Sequence, residues 1–143
     1  MRYLGLDLGT KTLGIAISDR SCQISSPFKT IKYDDIKKLI EEVLEIIKTN
    51  DITEIALGLP KNMDGSLGFA AERSLSFKDE LSKVTDININ LIDERLSTVE
   101  AENYLIDEGM RRKKRKNVID AVAASVILDT FIRMKGNEVN EER

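Results

Sequence analysis

Several acidic residues stand where an acid is costly. Asp7 lies inside the apolar stretch 4–8 (Leu-Gly-Leu-Asp-Leu), and Asp93 and Glu94 close the stretch 87–92. Asp120 heads a stripe at helical spacing made of Ala123, Ala124, Ile127, Leu128 and Phe131. A carboxylate among apolar neighbours loses hydration unless a partner or a cation compensates. Each acid has a local explanation. Asp7 could accept from amides of the following turn, Glu94 could pair with Arg95, and Asp120 could sit in the first turn of a helix capped by Asn117. The last accounts for an acid near a helix start, but not for its place at the head of the apolar stripe. Three carboxylates from separate segments would repel one another if brought together. A divalent cation resolves that conflict, and two ions roughly 3.5–4 Å apart can activate water and stabilise the leaving oxygen in phosphodiester cleavage.

The rest of the composition leaves few alternatives. The chain has no histidine and one cysteine, Cys22. Ser-His-Asp and Cys-His triads are excluded, as are zinc sites built on histidine. Oxygen ligands favour hard ions such as Mg²⁺ or Mn²⁺. A lone cysteine forms no internal disulfide, which fits a reduced, cytoplasmic setting. No apolar run is long enough to span a membrane. The first segment does not read as a signal peptide, because Asp7 interrupts it at once.

The net charge of −3 argues weakly against nucleic acid, but the distribution does not. Arg111, Arg112, Lys113, Lys114, Arg115 and Lys116 are consecutive, on a chain that is otherwise acidic. Such a strip makes a local positive field that a phosphate backbone would feel. It could also be a solvated loop that aids solubility. No aromatic residue is interleaved in it, so it offers charge and little base stacking.

Elements that could position these groups follow from periodicity. Segments 2–8 and 13–19 read as a hairpin around Gly9-Thr10-Lys11-Thr12. Segment 24–32 reads as a third strand, which Pro27 confines to an edge or delays. The apolar positions of 34–48 fall on one helical face. A fourth strand covers 53–59, stopped by Pro60, and a polar loop 61–66 follows. A helix over 68–83, a fifth strand over 87–93 and a third helix over about 97–107, opened by Ser97 and Glu100 as a capping box, come next. The basic run then separates that helix from a last one over about 117–134. The expected organisation is a single domain, 1–135, with a frayed polar tail, 136–143. The expected fold is one mixed α/β sheet with helices on both faces. Ligand sites of such sheets collect at strand carboxyl ends, which suits Asp93 and Glu94. Strand alternation puts those two on opposite faces and does not say which one faces the site.

Four segments together resemble one known family. They are 5–16 (GLDLGTKTLGIA), 58–66 (GLPKNMDGS), 93–98 (DERLST) and the basic 112–116 running into Asp120-Ala121-Val122-Ala123-Ala124. They are similar to the YqgF family, also called RuvX, within the RNase H-like superfamily. The resemblance implies five strands in the order 3-2-1-4-5 with the second antiparallel. It implies a metal-dependent nuclease with Asp7, Glu94 and Asp120 as catalytic and metal-binding acids, Glu94 being chosen over Asp93 on resemblance alone. Lys11, Arg95 and the six consecutive basic residues are the expected nucleic-acid contacts, on a monomer or weak homodimer. RNA is the favoured substrate, in 5′-end processing of pre-16S rRNA. Branched DNA such as a Holliday junction, or nucleic-acid binding without catalysis, are the alternatives. The segment 7–12 alone also resembles the first phosphate loop of sugar kinases and actin-like ATPases. That reading needs a second lobe, for which 143 residues leave no room.

Overall fold

The computed structural model describes the backbone of residues 1–93 and 112–141 and the side chains of residues 1–93 and 119–136. Five strands form one sheet: β1 (Arg2–Leu8), β2 (Thr12–Ser18), β3 (Ser25–Lys32), β4 (Ile52–Leu59) and β5 (Asn88–Asp93). Their order is β3-β2-β1-β4-β5. β2 runs antiparallel to both β1 and β3, whereas β4 is parallel to β1 and to β5. The parallel neighbours β4 and β5 are joined through a helix, as chain direction requires. This is the mixed sheet expected. β3 is an edge strand, and its register with β2 shifts beside Pro27, which has no amide hydrogen for the ladder.

Among the described residues three helices cover the sheet: α1 (Ile36–Thr49), α2 (Phe69–Ser82) and α3 (Arg112–Glu141). Asp35 caps α1 by accepting from the Lys37 amide at 2.9 Å. Alternation along the strands divides the core into two layers. Leu4, Leu6, Leu13, Ile15, Ile55 and Leu57 pack on Leu39, Val43, Phe77 and Leu81 of α1 and α2. Tyr3, Ala16, Ala56 and Ile92 pack on Ala124, Ile127, Leu128 and Phe131 of α3. The α3 layer is built of smaller residues, so its helix lies closer to the sheet. A Cβ added to Gly5 would come within 2.7 Å of the Ala124 carbonyl oxygen and of the Leu128 Cβ.

The last helix differs from expectation at both ends. The basic residues 112–116 are its opening turns rather than a separate connection, and Asn117 does not cap it. Arginine and lysine are good helix formers, and nothing in the run interrupts the backbone ladder. At the other end the helix continues to Glu141 through Gly136, past the expected stop at Met134. The third helix expected over 97–107 lies outside the described residues.

Candidate acidic site at the carboxyl end of the sheet

Two of the expected acids come together on one face. Odd-numbered residues of β1 and even-numbered residues of β2 face α3, because Leu4, Leu6, Leu13 and Ile15 face the other layer. Asp7 therefore points to the α3 side, and its cross-strand partner is Gly14. Directly opposed antiparallel residues have Cα atoms about 4.5–5.5 Å apart. Gly14 is also the seat of Asp120: a Cβ at Gly14 would lie 1.9 Å from the Asp120 carbonyl oxygen. A missing side chain on β2 thus brings the α3 backbone against the strand next to Asp7. Both acids are half-buried.

The Asp120 side chain is held as well. Thr12, at the start of β2 and on the same face, donates its hydroxyl to Asp120 Oδ2 at 3.0 Å. Position 120 lies more than two turns inside α3, so a first-turn dipole effect does not explain the acid. The turn from β1 to β2 is closed by the Gly9 amide donating to the Thr12 carbonyl at 2.8 Å, and the Tyr33 hydroxyl donates to the Gly9 carbonyl. Burial raises the Tyr33 phenol above its ordinary value, against the lowering influence of the Arg73 charge. Lys11 is exposed at the tip of this turn, and its carbonyl accepts from the Tyr33 amide at 2.9 Å.

β5 decides between the paired acids at its end. Ile89 and Leu91 pack against the α1–α2 layer, while Ile92 belongs to the α3 layer. Asp93 has the parity of Ile89 and Leu91, so it faces away from Asp7 and Asp120. Glu94, Arg95 and Arg111 lie outside the described residues. The side chains of Arg112, Lys113, Lys114, Arg115 and Lys116 do too, although their backbone is helical. At 1.5 Å per residue, the Cα atoms of Lys116 and Arg112 lie about 6 and 12 Å beyond Asp120 along the helix axis. Among the described residues no group of three or more His, Cys, Asp or Glu side chains is placed to hold a metal ion. Asp7 and Asp120 supply two carboxylates on one face, and their all-oxygen chemistry fits a hard divalent cation. No helix among the described residues is long and apolar enough to cross a membrane.

Two features of the site carry no obvious mark in the sequence. Gly14 reads as an ordinary strand glycine, although its spacing from Leu13 and Ile15 already places it on the opposite layer. The Thr12 hydroxyl has no pattern at all, since its partner is 108 residues away.

A five-stranded sheet in the order 3-2-1-4-5, with β2 antiparallel and acids at the carboxyl end of β1 and on the covering helix, defines an RNase H-like domain. Solved structures agree on that fold. Thermus thermophilus RuvC in complex with a Holliday junction substrate superposes with a TM-score of 0.63 at 14% identity, over 94% of this chain and 96% of that one. The fowlpox virus resolvase in complex with Holliday junction DNA gives 0.56 at 12% identity, over 94% and 98%. Sequence relatives are nearer. A protein of Halothermothrix orenii named "Putative pre-16S rRNA nuclease" is 48% identical over 136 residues, covering 92% of this chain and 94% of its own length. One of the same name from Clostridioides difficile is 44% identical, over 95% and 96%. The model of the RuvX family, described as Holliday junction resolvase, matches residues 1–134, and the chain belongs to that family.

Proposed function

We propose that this protein is a divalent-metal-dependent nuclease that cleaves phosphodiester bonds of RNA, with the 5′ end of pre-16S rRNA as its substrate. The observation that carries the reading is the placement of Asp7 and Asp120 over Gly14 on one face of the sheet. The names of the sequence relatives support RNA as the substrate.

Asp7 and Asp120 would hold Mg²⁺ or Mn²⁺, with Glu94 as the third carboxylate. Glu94 is chosen on the family resemblance, and Asp93 faces the α1–α2 layer, away from Asp7 and Asp120. When bound, the cation supplies Lewis-acid activation of water and neutralises charge at the phosphate. The Thr12 hydroxyl fixes the Asp120 carboxylate. Lys11, exposed in the turn that follows β1, and Arg95 would steer the phosphate, and the basic start of α3 would hold the flanking backbone. With no histidine in the chain, no imidazole serves as base.

Labelled precursor rRNA, single-stranded RNA and a four-way DNA junction, each with Mg²⁺, Mn²⁺ or EDTA, test the proposal. Selective cutting of the precursor near the mature 5′ end is expected, abolished by EDTA and reduced to the EDTA level in Asp7→Asn. Paired nicks confined to the junction would replace rRNA by branched DNA as the substrate. Tight binding with no cutting of any substrate would reject catalysis.

A further inference from the structure

The segment after β4 presents three large apolar side chains to solvent, Met63, Leu67 and Phe69. Met63 is 80% exposed, and Phe69, the first residue of α2, is 87% exposed. Single exposed apolar residues are ordinary on a protein surface. Here Met63 lies within one ordered turn and Phe69 follows it at the start of α2. Lys61 and Leu67 pair as a short bridge. The Asn62 amide donates to the Ser66 carbonyl at 2.9 Å, the Gly65 amide to the Asn62 carbonyl at 2.8 Å, and the Ser66 amide to Asp64 Oδ1 at 2.9 Å. Hydrogen bonding to Ser66 also keeps the Asp64 carboxyl below its ordinary value. The turn is thus built, and its apolar groups are held outward rather than folded into the core.

Its position connects it to the acidic site. The turn springs from the carboxyl end of β4, the strand hydrogen-bonded to β1 at the end where Asp7 stands. Phe69 and Arg73 are four residues apart on α2 and therefore lie on one side of that helix. Arg73 acts electrostatically on Tyr33, whose hydroxyl donates to Gly9 in the turn that follows Asp7. Phe69 opens α2 at the end of the sheet where Asp7 stands, on the layer opposite α3. Arg73 makes no ion pair among the described residues. An exposed aromatic ring one helical turn from a cation that has no acid partner among the described residues matches a nucleotide, whose base stacks and whose phosphate is anionic.

Resting on the nuclease reading, we propose that Phe69 is a stacking platform for an unpaired base of the RNA substrate, so that the enzyme selects single-stranded RNA over duplex at this position. A base inside a duplex has both faces covered and cannot stack on it. A preordered ring loses little conformational freedom on binding.

Fluorescence anisotropy in EDTA, which prevents cleavage, tests this on a single-stranded RNA and a blunt duplex of the same sequence. Phe69→Ala should weaken single-strand binding roughly 5- to 150-fold and leave duplex binding within about twofold. Phe69→Trp should restore it. A 2-aminopurine base in the single strand should be quenched by the wild type and not by Phe69→Ala. Because the side chain is exposed, the Tm of Phe69→Ala should stay near that of the wild type, which separates loss of stacking from misfolding. Equal affinity of wild type and Phe69→Ala for the single strand, or an equal loss on both RNAs, overturns the proposal while leaving the nuclease reading intact. A wild-type dimer that Phe69→Ala converts to monomer overturns it in favour of self-association. Absence of any RNA binding by the wild type overturns both readings.

Discussion

At Asp120 the Thr12 hydroxyl donates to Oδ2 at 3.0 Å and orients the carboxylate. Groups that orient metal-binding carboxylates typically change affinity by 10- to 100-fold when removed. Thr12→Val should therefore weaken Mn²⁺ binding by about 10-fold in calorimetry, with Thr12→Ser close to wild type. Unchanged affinity in the valine variant would remove Thr12 from the site. A second carboxylate tests the fold rather than the chemistry. Asp19 accepts from the Ser21 hydroxyl and from the Gln23 and Ile24 amides at 2.8 and 2.9 Å. These bonds, the Ser21 one foremost, lower its carboxyl from 3.8 to about 2. A lowered folded-state value means that the stabilisation is complete above about pH 4 and is lost as pH falls through about 2. Asp19→Asn should melt below wild type at neutral pH, with the gap closing between pH 4 and 2. A gap that is independent of pH would show that the charge is not the cause.

The elements meet at Gly14, where a helix backbone rests on a strand. Inserting a Cβ there puts it 1.9 Å from the Asp120 carbonyl oxygen, so strand and helix must separate. Overpacking against backbone costs about 3 kcal/mol or more when neither side can yield. Gly14→Ala should lower the unfolding free energy obtained from urea titration by an amount of that size and abolish Mn²⁺ binding. Gly9→Ala is the contrast, because its added Cβ meets only Thr12 atoms at 3.4 Å. It should stay within about 0.5 kcal/mol of wild type. If the two alanine variants behave alike, the close approach is not what seats the acid.

Over the whole molecule, charge is divided between a basic helix start and an otherwise acidic chain. Five of the six consecutive basic residues open α3, on the N-terminal side of Asp120, and Arg111 precedes it in the chain. Phosphate contacts by all six would give a log–log salt slope of about −4 on single-stranded RNA, at about 0.7 per contact. Replacing all six by glutamine keeps good helix formers in place and should bring the slope toward zero. An unchanged slope would move the phosphate-binding surface elsewhere.

The sequence by itself determined the elements that repeat with a period. Apolar residues every second position in β1, β2 and β4, and every third or fourth in α1 and α3, must face a core, so strands, helices and the two-layer arrangement were legible. The three segments that bear acids stood out for the same reason, since acids at Asp7 and Asp120 break apolar patterns. The start of α3 was misread because a run of like charges resembles a loop, whereas intrinsic helix propensity allows it to continue the helix. Only the tertiary structure decided what depends on distance through space. It turned Asp93 away from Asp7, set Asp120 on Gly14, and gave its carboxylate to Thr12, because contacts between segments a hundred residues apart leave no period in the chain.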